Sequence, residues 1–180
     1  MMILLCYDGS ADAQAAIDHA ARLMPGADAT VLTIWEPFVD AMAYSGSTGF
    51  GVGYAGTATD LSAIDEADQQ LAHETAYDGA ERAARAGLAA QWRVADRHGG
   101  WSRAILGAAA DVDADVIVCG TRGRSGMKSF LLGSVSQQVA QHADRAVLVV
   151  PSPTLAEKRR SSADHASASG GATAAQTIDS

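Results

Sequence analysis

Apolar, largely β-branched runs recur along this chain at intervals that leave room for a helix between neighbours, and this alternation most restricts the possible fold. Met2-Ile-Leu-Leu-Cys6, Thr30–Trp35, Asp115–Cys119 and Ala146–Val150 are short and almost wholly apolar, while Gln91–Ala95 is a more polar run. A strand apolar at every position is buried on both faces, which parallel sheets require. The intervening segments carry helical spacing. Ser10 is placed to cap a helix through about Leu23, with Ala13, Ala16, Ile17, Ala20 and Met24 on one stripe before Pro25-Gly26 stops it. Leu61–Leu88 repeats the pattern through Ile64, Leu71, Ala80 and Ala84, with Gly87 at a C-cap. Ser102–Val112, through Ile105, Leu106 and Ala109, and residues 133–143 supply two more helices. Strands alternating with helices pair in parallel through right-handed crossovers, so the expectation is an α/β protein: a doubly wound, five-stranded parallel sheet sandwiched by helices.

These elements fill one domain over residues 1–153, an ordinary size for 180 residues. Within it, residues 38–59 shift to Gly, Ser, Thr and Ala without apolar period and read as a long flexible loop. Beyond Pro153 the large apolar residues are Leu155 and Ile178, so residues 154–180 are expected to form a disordered tail.

Charge narrows the function classes. The net charge is −8, which provides no broad electropositive face for nucleic acid or an anionic membrane. Cys6 and Cys119 are too few for a disulfide framework, Met1–Cys6 is too short and lacks the cationic lead of a secretion signal, and a cytoplasmic setting is the default expectation. Five histidines without paired spacing and two cysteines far apart in the chain indicate no metal site, and buried free thiols are favoured over redox chemistry. No Gly-x-Ser-x-Gly elbow is present, so no catalytic residue is assigned.

The exception to the acidic balance is Gly120-Thr-Arg-Gly123-Arg-Ser-Gly126-Met-Lys128, which follows a strand directly and leads to Gly133-Ser134 at a helix start. Glycine there lets backbone N–H groups approach an anion, and the helix start adds free N–H groups and a favourable dipole. Arg122, Arg124 and Lys128 add positive charge. Met127 and Arg122 stand where a Walker A loop ending at Lys128-Ser129 would need glycine, so phosphate is expected to be held without a P-loop lysine. Gly51-Val-Gly53-Tyr-Ala-Gly56 fits a dinucleotide fingerprint by letter, but no strand precedes it; it reads as loop, or as a lid in which Phe50 or Tyr54 could stack on a base.

Gly120, Gly123, Gly133 and Ser134 carry the spacing Gly-x2-Gly-x9-Gly-Ser. Together with Asp8-Gly9-Ser10, Ile34-Trp35-Glu36-Pro37 and Ala146-Val-Leu-Val-Val-Pro151, this resembles the ATP-binding branch of the universal stress protein family over about residues 2–152. The resemblance implies a Rossmann-like, adenine nucleotide alpha hydrolase-like sheet of order 3-2-1-4-5, a homodimer through the last strand, and ATP, with Mg2+ as a candidate companion. Asp8 would contact the ribose or adenine side and the Ile34 backbone the adenine edge. Cys119, Gly120, Arg122 and Gly123 would line one side of the phosphates, with Gly133, Ser134, Val135 and Ser136 on the other. The function so implied is an ATP-binding stress-response sensor or regulator working through nucleotide-dependent dimer or partner contacts. A weak ATPase or self-phosphorylating protein and a cyclic AMP binder of the same fold are the alternatives. The chain departs from the family around Gly99-Gly100-Trp101 and in the length of the 38–59 loop.

Overall fold

A computed structural model describes residues 1–38, 40–41, 58–123 and 132–169. Five strands, β1 (Met2–Cys6), β2 (Asp28–Trp35), β3 (Ala89–Asp96), β4 (Val116–Gly120) and β5 (Ala146–Val150), form one sheet in the order β3-β2-β1-β4-β5. Every pairing is parallel. The helices are α1 (Ala11–Leu23), α2 (Ala58–Arg85), α3 (Trp101–Asp111), α4 (Ser134–His142) and α5 (Pro153–Ser169). The doubly wound sheet is therefore as the alternating pattern indicates, and its strand order is the one the family resemblance implies.

Alternation along each strand divides the core in two. Ile3, Leu5, Val31 and Val118 pack with Ala16, Ile17 and Ala20 of α1 and with Ala80 and Ala83 of α2. Leu4, Leu32 and Ile117 face the other way, onto Ile105 and Ala109 of α3 and Val139 of α4. The chain order reverses between β1 and β4, which carry α1 and α4 away on opposite faces, so their carboxyl ends open a crevice there.

Several details differ from the sequence reading. The buried stripe of α2 is Ala72, Ala76, Ala80 and Ala83, whereas Leu71 is half exposed and Ala84 points to solvent. A small-residue face lets the helix approach the sheet closely: a Cβ on Gly79 would lie 2.6 Å from the Tyr7 ring. The C-cap holds, with Gly87 at φ +95° and Leu88 N–H donating to the Ala83 carbonyl at 3.1 Å. Trp92 is 44% exposed at the β3 edge and meets His73 edge-to-face.

The expected disorder after Pro153 is corrected for residues 153–169, which form α5. Pro153 occupies the first helical position, where a missing N–H costs nothing, the Ser152 carbonyl accepts from Ala156 N–H at 2.9 Å, and Leu155 is buried. The following Ala-Glu-Lys-Arg-Arg run consists of strong helix formers. Residues 170–180 lie outside the described residues. Of the 38–59 loop, Phe38, Asp40 and Ala41 are helical and residues 58–59 belong to α2, while position 39 and residues 42–57, including Phe50 and Tyr54, lie outside the description.

Candidate nucleotide site

The turn after β1 and the segment after β4 meet at the switch point. Asp8 accepts the Ser10 N–H through Oδ1 at 3.0 Å, Gly9 takes φ +80°, and Ser10 Oγ caps α1 by accepting from Ala13 N–H at 3.2 Å. The same hydroxyl donates to the Arg122 carbonyl at 3.5 Å, tying the two segments together. A Cβ on Gly123 would stand 2.8 Å from Asp8 Oδ2, so the carboxylate and the Gly123 backbone face each other across the crevice.

The glycines separate into two classes. A Cβ on Gly120 would meet the Asp12 backbone carbon and Cβ at 2.8 Å and Ala13 N at 2.9 Å, because the end of β4 runs beneath the first turn of α1. On Gly133 it would lie 2.9 Å from the Thr121 carbonyl, which accepts the Gly133 N–H at 2.9 Å. Close packing of backbone demands these two glycines. Gly123 is exposed, and its one near neighbour is the end of a side chain.

On the opposite wall α4 opens at Gly133, which has no side chain to cap the first N–H groups, those of Ser134, Val135 and Ser136. Ser134 is exposed and Val135 half-buried. Ser136 is buried and its hydroxyl donates to the Gly120 carbonyl at 2.7 Å, so this side chain clamps α4 to β4. Ile34 lies half-buried near the carboxyl end of β2. Arg122 is half-buried at the start of the loop, and Arg124 and Lys128 fall in residues 124–131, outside the described residues.

Cys119 is buried at the end of β4, where burial raises its pKa and the Ser136 hydroxyl pulls it partly back. Cys6 is raised well above the usual thiol value by burial, then by Cys119 and Asp8. Sequence reasoning missed Tyr7, whose hydroxyl donates to Asp78 Oδ2 at 2.8 Å and whose pKa is pushed up to about 12, first by burial and then by that carboxylate. Nothing local in the sequence pairs positions 71 apart, and the one clue was a small residue, Gly79, beside an acid on α2. Asp12, also missed, buries Oδ2 without a hydrogen-bond partner. Among the described residues no group of three or more His, Cys, Asp or Glu is placed to hold a metal ion. A separate groove of about 350 Å³ between β3 and α3, lined by Arg93, His98 and Arg103 among others, lies away from the switch point.

The model of the universal stress protein family matches residues 1–151. The chain belongs to the universal stress protein family. A relative from Thermus aquaticus, the universal stress protein in the QAH/OAS sulfhydrylase 3′ region, is 35% identical over 150 residues, covering 82% of this chain and 96% of that one. The fold is shared with the universal stress protein from Archaeoglobus fulgidus in complex with dAMP, with TM-score 0.55 and 22% identity over 83% of this chain and 97% of the other. A universal stress protein solved in complex with cAMP gives TM-score 0.58 and 23% identity over 84% and 97%. Within the family framework the Gly-x2-Gly-x9-Gly-Ser positions of this chain fall on the two walls just described.

Proposed function

We propose that this universal stress protein holds ATP in the crevice between the carboxyl ends of β1 and β4, and that occupancy biases its dimer or partner contacts in a stress response. The observation that carries the reading is the placement of the four motif positions: Gly120 and Gly123 on one wall, the glycine-led start of α4 at Gly133-Ser134 on the other, and Asp8 facing Gly123. Backbone N–H groups at Gly123, Ser134 and Val135 would hold phosphates, Arg122 would add charge, and Asp8 would take the ribose or adenine side. Of the expected contacts, Gly120, Gly133 and the Ser136 side chain act indirectly, by fixing the wall against α1 and β4. Ile34 would offer backbone to the adenine edge. If Mg2+ accompanies ATP, Asp8 is the carboxylate beside the phosphates, consistent with a cation held largely by phosphate and water.

Calorimetric titration with ATP, ADP, AMP and cyclic AMP tests this. Tightest binding of ATP supports the proposal, and silence toward all four overturns it. The dAMP and cAMP complexes of the two structural neighbours favour a second reading, in which a monophosphate or cyclic nucleotide is preferred. In a third, hydrolysis or self-phosphorylation is slow, and the acceptor would be Ser134, since Ser136 is buried and engaged. Phosphate release in the ATP sample separates that reading from simple binding.

Among the described residues no helix is long and apolar enough to cross a membrane. A cytoplasmic setting and a homodimer through β5 complete the proposal, and neither nucleic acid nor membrane is proposed as partner.

A further inference from the structure

We propose that Cys6 and Cys119 form a two-thiolate site for a soft monovalent cation, Cu(I), on the sheet face covered by α3 and α4. The two residues are 113 positions apart in sequence. β1 and β4 nevertheless pair in register at Ile3↔Val116, Leu4↔Ile117 and Leu5↔Val118, and one step further places Cys6 beside Cys119. Leu4 and Ile117 both belong to the α3/α4 side of the core, and Cys6 packs against that cluster, so strand alternation puts both sulfurs on that face. Both cysteines are free.

Spacing decides what such a pair suits. Neighbouring strands lie about 4.8 Å apart, and in-register side chains on one face start from that separation. A disulfide needs Cβ atoms about 3.8 Å apart, so the strands would have to close by about 1 Å inside a packed sheet. One metal ion between two sulfurs, at a metal–thiolate bond of about 2.3 Å, holds them about 4.6 Å apart instead of the roughly 2 Å of a disulfide, so it does not ask the strands to close. Hard and borderline divalent ions want more ligands, and the described residues offer no third His, Cys, Asp or Glu in the group. A soft ion content with two thiolates remains, and thiolate donors select Cu(I).

Binding forms two Cu–S bonds and releases the two thiol protons to solvent, with no change of oxidation state. Cys6 is half-buried and provides the entry, while Cys119 is the buried anchor.

The test is anaerobic titration of the full chain, under reducing conditions, against a Cu(I)–bicinchoninate buffer. One equivalent should be taken up per chain, with unchanged assembly state by light scattering and new ultraviolet sulfur-to-copper charge-transfer absorption. Cys6→Ala and Cys119→Ser should each weaken uptake by at least the roughly 100-fold that loss of an outer-shell partner can cost. If Cys119→Ser fails to fold, Cys6→Ala decides alone, because its side chain is half-buried at a strand end. Uptake that survives Cys6→Ala overturns the site, as does half an equivalent accompanied by new dimerisation, which would mean bridging between copies. A chain that forms an internal disulfide in air and takes up no Cu(I) overturns it equally.

Discussion

At the scale of single residues, three glycines that look alike in sequence have different physical roles. Gly123 is exposed and a Cβ there meets only the carboxylate end of the Asp8 side chain, so Gly123→Val should keep the circular dichroism spectrum and melting temperature while weakening ATP at least tenfold in calorimetry. Gly120→Val should instead destabilise by several kcal/mol, because its Cβ would overlap backbone of α1 that cannot swing away. A folded Gly123→Val that binds ATP like the parent would remove this loop from the site. Tyr7 makes a second residue-scale prediction. Its folded pKa of about 12 exceeds the unfolded value near 10, so the unfolded chain loses its proton first as pH rises. Its contribution is therefore whole below pH 10 and is lost between about 10 and 12, up to roughly 2–3 kcal/mol. Urea midpoints of parent and Tyr7→Phe should differ at pH 8, draw together above pH 10 and meet only near pH 12; a constant gap would show that the hydroxyl does not titrate in this way. The glycine-rich segment after β4 was legible because it is written in near-consecutive residues beside a strand. The packing reasons for Gly120 and Gly133, the Tyr7–Asp78 bond and the Cys6–Cys119 pairing were not, because each joins segments far apart in sequence.

At the scale of elements, the apolar strands were readable because a strand covered on both faces has no polar position to confuse the pattern. α2 was read correctly at Ala80 and wrongly at Leu71 and Ala84, because large side chains dominate a hydrophobic stripe by eye. Here Ala72, Ala76, Ala80 and Ala83 make the contact, and Leu71 is left half exposed. α5 was missed for a related reason, since two large apolar residues in the whole tail suggested that no ordering could be sustained. One well-placed leucine after a helix-starting proline is enough: burial of Leu155 contributes about 1.5–3 kcal/mol, offset in part by ordering of the helix. Truncation after Pro153 should therefore lower the melting temperature by about 2–6 °C, where a disordered tail would leave it unchanged. ATP affinity should be untouched, because α5 follows β5 and contributes none of the site residues. An unchanged melting temperature in the truncated chain would show that Leu155 adds nothing net.

At the scale of the whole molecule, a five-stranded open sheet leaves two edges, β3 and β5, and they are defended unequally. β3 carries Arg93, which pairs with Asp111 at 2.6 Å, and ends on Asp96, and such charged side chains discourage strand addition. β5 is Ala-Val-Leu-Val-Val, with Val147, Leu148 and Val149 each left half-buried. Unpaired backbone groups beside partly exposed apolar side chains are costly to leave in water, and a second copy of the same edge covers both at once. The parent chain should therefore run as a dimer by light scattering at micromolar concentration with ATP present. Val149→Lys, shown folded by circular dichroism, should run as a monomer, since two lysines would otherwise be buried near a symmetry axis without partners. Should Val149→Lys fail to fold, Ala146→Pro at the exposed start of the strand provides the same test by removing a backbone donor. A monomeric parent, or a folded variant that stays dimeric, would move the interface away from β5, and with it the route by which an occupied crevice at the end of the adjoining β4 could be felt by a partner.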